Sequence, residues 1–98
     1  MTAASRPDVL RLHERDNVVV ALRALDAGER VAVDGDALAI GEPVPFGHKI
    51  ATRDIADGGD VVKYGEVIGH ATAAIAVGGH VHVHNVASAR LPGPEDAR

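Results

Sequence analysis

The 98-residue chain has no cysteine and no tryptophan, and it holds a single phenylalanine, Phe46, and a single tyrosine, Tyr64. Without cysteine there is no disulfide, no thiolate metal ligand and no cysteine nucleophile, and a secreted disulfide scaffold is excluded. So few aromatics leave little for bases to stack on, and the charges form no basic stripe, so nucleic-acid binding is not expected. No apolar run approaches the roughly 20 residues of a membrane-spanning helix. No signal-like segment is seen, and a soluble cytoplasmic protein is expected. Serine occurs only as Ser5 and Ser88, both in segments expected to be loose, which argues against a catalytic serine. Lysine is also scarce: Lys49 and Lys63 stand against eight arginines.

What remains is Val, Ala, Ile and Leu, with eleven glycines and a net charge of −4 whose signs are interspersed. This is one small domain with a limited core. A core with few large side chains suggests that further burial comes from a partner or from self-association.

An internal repeat organises the chain. Ala21, Leu25, Gly28 and Val31 follow one another at spacings of four, three and three. Ala51, Ile55, Gly58 and Val61 repeat them, as do Ala71, Ile75, Gly78 and Val81. Four residues after each valine stands Gly35, Gly65 or Asn85, residue types that tolerate positive φ, so each strand is expected to end in a left-handed turn. Short glycine-turned strands without long helical periodicity predict a compact all-β domain. At most a single helical turn is expected within Val18–Leu25 and Ala71–Ile75.

Strands are expected at Val9–His13, Val18–Leu22, Ala37–Ile40, Val61–Gly65 and Glu66–His70, with a turn at Asp16-Asn17. Val44–Gly47 is a loop, because Pro45 lacks a ladder donor. Residues 1–8 and 87–98 are expected to be flexible ends around a domain at 9–86.

The sharpest chemical signal is Gly79-His80-Val81-His82-Val83-His84-Asn85. Alternation at period two predicts a strand with His80, His82 and His84 on one face and the valines turned to a core. Neutral imidazole is a common metal ligand. Neighbours in the row are roughly 7 Å apart and the outer pair roughly 13 Å, so two ligands are expected from this strand, with the rest from elsewhere. A second group is His48-Lys49 after a Pro-Phe-Gly loop, with Lys63-Tyr64. Lysine can hold a carboxylate or, with a lowered pKa, act as a base. His70 is read as structural or exposed, Asp54 as structural, and His13 is given little functional weight.

Taken together, GHK at 47–49, KYG at 63–65 and HVHN at 82–85, in that order, resemble the amino-terminal domain of the altronate and galactarate dehydratase family. The resemblance runs from about His13 to Val86. It implies an SAF (β-clip) fold and membership of a hydro-lyase that removes water from sugar acids with a divalent metal, typically iron or manganese. By matching motif it implies metal contact at His82 and His84, a catalytic role for His48 and Lys49, and substrate contact by Lys63, Tyr64 and Asn85. It ranks His80 lower. The family's larger catalytic domain is not in this chain, so a separate large subunit is the expected partner. Similarity to the sulfolactate sulfo-lyase small subunit leaves sulfite elimination as the alternative, and a non-catalytic carbohydrate-binding module of SAF type is another. A homo-oligomer remains compatible with the small core.

Overall fold

The computed structural model describes residues 7–88, and every regular element among them is a strand. In chain order these are β1 (Val9–Leu10), β2 (Val18–Ala21), β3 (Arg30–Val33), β4 (Asp36–Ala39), β5 (Lys49–Ala51), β6 (Asp60–Lys63), β7 (Glu66–Ala71), β8 (His80–Val81) and β9 (Val86–Ser88). They pair antiparallel in a four-stranded sheet, β1-β2-β5-β8, a β3-β4 hairpin, and a three-stranded sheet, β6-β7-β9. The all-β expectation holds. The single helical turns do not form: β-branched Val18–Val20 stay extended, and both segments pass from strand directly into bends. Among the described residues no helix is long and apolar enough to cross a membrane.

The repeat is the skeleton of the fold, and it has four copies. The fourth is Ile40, Val44, Gly47 and Ile50, with the same spacings of four, three and three. It escapes a search on alanine and valine because isoleucine stands at both ends. The copies join in pairs. Leu25 and Val44 exchange both backbone hydrogen bonds, and so do Ile55 and Ile75. In the first pair Gly28 donates to the Ile40 carbonyl and Gly47 to the Ala21 carbonyl. In the second, Gly58 donates to Ala71 and Gly78 to Ala51. All four turn glycines have left-handed φ of 92°, 85°, 82° and 85°, which explains the residue type.

Each pair closes over its own small core. Val19, Ala21, Leu25, Val31, Ile40, Val44 and Ile50 belong to the first. Val18, Ala51, Ile55, Val61, Ala71, Ile75 and Val81 form the second. Strands β2 and β5 are the wall between them. Val19 lies opposite Ile50 and feeds the first core, while Val18 lies opposite Ala51 and feeds the second. A strand's alternation thus serves two cores at once, which is why the Val18-Val19-Val20 run carries no polar face.

Two hairpins project from this frame. Asp34-Gly35 joins β3 to β4, and Tyr64-Gly65 joins β6 to β7. Both central residues of each have positive φ, 52° and 87° in one and 59° and 74° in the other. That is the tight-hairpin signature. The left-handed expectation is met at Gly35 and Gly65. Asn85 is not among the residues of positive φ, because its side chain closes a turn instead. Strand β1 stops at Leu10, short of the expected His13. At the other end β9 reaches Ser88, two residues beyond the expected boundary, and Asp8 is tied to Arg23 at 2.8 Å. The remaining terminal expectations, on residues 1–6 and 89–98, lie outside the described residues.

Candidate metal centre

Strands β5 and β8 pair with Ile50 opposite His80 and Lys49 opposite Val81. One step further along the same register sets His48 opposite His82. Alternation then directs His48, His80 and His82 to a single face. The backbone of His48 is fixed on both sides: its N–H donates to Pro45 at 3.1 Å, and its carbonyl accepts from Ala21 at 2.8 Å.

The three imidazoles converge. His48 Nδ1 and His80 Nε2 are 2.8 Å apart. The rings of His48 and His82 stack at 3.6 Å between centroids and 13° between planes. One ring nitrogen from each of the three lies within 4.8 Å of the others. His48, given a catalytic role by the resemblance, and His80, ranked below His82 and His84, both belong to this geometric group.

His84 is not in this group. The strand ends at Val81, and residues 82–85 turn. Asn85 shapes that turn: its Oδ1 accepts from His82 N at 2.9 Å, its Nδ2 donates to the His80 carbonyl at 2.8 Å, and its own N–H donates to the His82 carbonyl at 3.1 Å. The valine alternation breaks at the same place. Val81 is fully buried, but Val83 is 80% exposed. The turn swings the His84 ring to 4.9 Å from His80, tilted by 35°. Period-two spacing alone does not reveal where a strand stops.

Electrostatics favour neutral imidazoles. Burial, followed by the neighbouring imidazoles, holds His80 below its ordinary pKa; Glu42 opposes this weakly, and its carboxylate also accepts from His80 N at 3.1 Å. Burial, His48 and Lys49 do the same to His82. His82 Nδ1 is buried and has no hydrogen-bond partner, a condition that is costly for a polar atom. Convergent neutral nitrogens, one of them orphaned, fit a divalent cation. A cleft of about 330 Å³ lies elsewhere, lined by Arg11, Asp34, Thr52 and Arg53 among others.

Lys49 leaves β5 on the opposite face from His48 and Ile50 and lies opposite Val20 and Val81. It is half-buried, and burial followed by the charge of Lys63 lowers its pKa. Lys63 ends β6 with its ammonium 5.3 Å from the Tyr64 ring. Lys49 thus leaves β5 on the face away from His48, while its charge still acts on His82.

Sequence reasoning missed Asp16 and Asn17, the buried polar residues among those described. The turn expected there is made by the residues just before, with Asp16 N donating to the His13 carbonyl. Asp16 accepts from Tyr64 N at 3.1 Å and Gly65 N at 2.7 Å. Asn17 donates from Nδ2 to the Asp60 carbonyl and accepts from Val62 N, both at 2.8 Å. The available signal was a polar pair directly preceding an all-apolar strand. Asp54 accepts from Val77 N at 2.9 Å, His70 is exposed and 3.3 Å from Asp60, and the His13 ring lies under Gly65.

Residues 7–89 match the family described as the altronate/galactarate dehydratase SAF domain. The chain is 49% identical over 76 residues to altronate dehydratase of Escherichia coli strain K12 and 42% identical over 76 residues to that of Bacillus subtilis strain 168. Each alignment covers 78% of this chain but only 15% of the relative. It is also 36% identical over 87 residues to the (2R)-sulfolactate sulfo-lyase subunit alpha of Chromohalobacter salexigens, covering 81% of this chain and 93% of that subunit. With its fold and motifs in agreement, the chain belongs to the family of SAF domains found in altronate and galactarate dehydratases.

Proposed function

We propose that this chain is the SAF-type small subunit of a two-subunit sugar-acid hydro-lyase, and that His48, His80 and His82 hold the divalent metal of its active site. The observation carrying this reading is the convergence of three imidazoles in a member of this family. The match to nearly all of one lyase subunit alpha supports the subunit arrangement. A large catalytic subunit then completes the site, in a cytoplasmic enzyme. Sulfite elimination by a sulfolactate-type lyase is the second reading, favoured by the same near full-length match.

Eliminating water beside a carboxylate requires removal of the α-proton and stabilisation of the charge that develops on both sides of the breaking bond. A divalent metal supplies Lewis acidity at the leaving oxygen or the carboxylate. Three nitrogen donors suit Fe²⁺ better than Mn²⁺, which prefers oxygen. His48 serves as a ligand rather than an acid–base group. Lys49 remains the catalytic candidate, facing negative charge on the acid, while Lys63 and Tyr64 contact the substrate. Asn85 contributes by shaping the turn that carries His82, and His84 lies beside the metal set rather than in it.

The test is an anaerobic titration of the purified chain with Co²⁺, read by visible absorption. Uptake of a single equivalent is expected, weakened by about tenfold or more in each of His48→Ala, His80→Ala and His82→Ala. His84→Ala and His70→Ala are expected to bind like the parent. Coexpressed with a dehydratase-type large subunit, the complex is expected to turn over altronate or galactarate, and the chain alone is not. Failure to take up metal, or turnover by the small chain alone, overturns the reading.

A further inference from the structure

Internal repetition lets an arginine in one half be compared with its counterpart in the other. Arg23 follows Ala21 by two residues, and Arg53 follows Ala51 by two. The residue before each is held alike: Leu22 N donates to the Asp8 carbonyl at 2.8 Å, and Thr52 N to the Asn17 carbonyl at 2.9 Å. Asp8 and Asn17 therefore occupy matching places. So do Glu29 and Gly59, each two residues before the valine of its copy.

The side chains differ. Arg23 is fully engaged: its guanidinium donates to Asp8 at 2.8 Å, to Glu29 at 2.8 Å and to the Ala24 carbonyl at 3.1 Å. At Arg53 both carboxylates are replaced. Asn17 stands for Asp8, and its amide is spent on the Asp60 carbonyl and Val62 N. Gly59 stands for Glu29, where a Cβ would meet the Ala56 carbonyl oxygen at 2.8 Å. Among the described residues Arg53 forms no ion pair and no side-chain hydrogen bond. Packing explains the loss of the carboxylates, but not the presence of the arginine.

Arg53 lines a cleft of about 500 Å³ with Arg15, Glu14, Val62, Gly65 and Val67, a volume within the range of small-ligand sites. The Arg15 guanidinium also forms no ion pair among the described residues, and the Glu14 carboxylate pairs with neither arginine. On its other side Arg53 borders the smaller cleft. There Arg11 holds Asp34, the Tyr64-Gly65 turn holds Asp16, and Asp36 pairs with none of the described residues. Two guanidinium groups beside a valine wall suit an anion that carries a carbon chain.

We propose that Arg53 and Arg15 form a binding site for the carboxylate of a small organic acid, whose carbon chain lies against Val62 and Val67. The acid takes at Arg53 the place that Asp8 and Glu29 hold at Arg23. The site follows β5, whereas His48 precedes it, so it is separate from the imidazole centre and does not rest on the lyase reading. Gly65 lines the same cleft, so the occupant sits against the hairpin tip that Asp16 holds.

The experiment is an NMR titration of the metal-free full chain with butyrate, following the Nε–H signals of Arg15, Arg23 and Arg53. Sodium chloride and sodium sulfate at matched ionic strength are the comparison salts. Saturable shifts are expected at Arg15 and Arg53 and none at Arg23, whose guanidinium is already engaged. Arg53→Met is expected to weaken binding by about tenfold or more, the usual scale for losing one charged contact. An unchanged amide spectrum away from the cleft confirms that this variant is folded, and Arg15→Met repeats the test from the second guanidinium. Glu14→Gln is expected to tighten binding, because it removes the cleft's own carboxylate. Shifts no larger than those in chloride, binding unchanged in Arg53→Met, binding lost in Glu14→Gln, or sulfate bound as tightly as butyrate overturn the proposal. Co²⁺ uptake is expected to be the same in Arg53→Met as in the parent, so failure of this site and failure of the imidazole centre are distinguishable.

Discussion

The two halves of the domain share one backbone and differ in what anchors their hairpins. Both are built from a pair of repeat copies joined by the same reciprocal hydrogen bonds, and both extend a hairpin with two left-handed residues at its tip. The Asp34-Gly35 tip is met by one partly exposed ion pair, Arg11 to Asp34 at 2.9 Å. The Tyr64-Gly65 tip is gripped from below by Asp16, which is 2% exposed, and its strand by Asn17, which is 4% exposed. Repetition of the backbone therefore supplies the scaffold, and buried polar residues are invested where a side-chain position has to be fixed. The half with the fixed hairpin is also the half that carries Lys63 and Tyr64.

The largest expected break in the equivalence of the two halves is at the turn glycines. Gly28 and Gly78 hold the same place in their copies, with φ of 92° and 85°. A Cβ at Gly28 meets open space, whereas at Gly78 it presses into the Ala39 carbonyl oxygen, where the halves touch. Gly28→Ala is expected to cost about 1–2 kcal/mol from backbone strain alone. Gly78→Ala adds overpacking worth about 1–3 kcal/mol, so it is expected to be the more damaging. Urea denaturation of both variants measures the difference, and equal losses would mean that the contact between halves yields freely.

Next in size is the anchor itself. Asp16→Ala leaves the Tyr64 and Gly65 N–H groups without their acceptor, at a cost of about 1–3 kcal/mol for each group that stays buried and unpaired. Amide exchange is expected to accelerate at Tyr64 and Gly65 and to stay unchanged at Asp34 and Gly35. Faster exchange at both tips would show that the hairpins are not anchored separately.

The same division explains what could be read from the sequence. Three of the four repeat copies were legible because their alanines, glycines and valines report backbone needs: close packing, positive φ and extension. The fourth was hidden because Ile40 and Ile50 satisfy the same needs with another residue. The histidine row was visible as a row, but its geometry was not. His80 and His82 keep their shared face, and then the Asn85 side chain turns the chain, so that His84 leaves the row. His48 joins the cluster through the register of β5 on β8, a pairing across more than thirty residues that no local pattern encodes. Asp16 was read as part of a turn for a similar reason, since its partners are a hairpin nearly fifty residues away.

A smaller expected effect concerns pH, and it should fall on the imidazole cluster and spare the rest of the molecule. His80 and His82 are held below their ordinary pKa of 6.5. A histidine whose folded pKa is lowered binds its proton more readily in the unfolded chain. Its contribution to stability is therefore complete above the unfolded pKa and is lost as pH falls through the folded one. For the metal-free chain, stability is expected to decline as pH is lowered from about 6.5 towards 5. His82→Asn is expected to flatten this slope, whereas replacement of the exposed His70 is not. A slope unchanged in His82→Asn would remove the cluster as its cause.

The smallest effect should come from the loosely held hairpin. Asp34→Asn keeps a residue that tolerates the left-handed φ of 52° and removes only the charge opposite Arg11. Asp34 is 62% exposed, so solvent screens the pair. Its loss is expected to cost less than about 1 kcal/mol, and nothing measurable once the Debye length has shrunk to about 3 Å in 1 M salt. Asp16→Asn makes the sharper contrast. It keeps one acceptor oxygen but turns an amide NH₂ towards the second backbone donor, at a position that is only 2% exposed. That variant is expected to stay destabilised at every salt concentration. If instead salt rescued it as fully as it masks Asp34→Asn, the Tyr64 hairpin would be held by charge rather than by a buried hydrogen-bonded grip, and the distinction between the two halves would collapse.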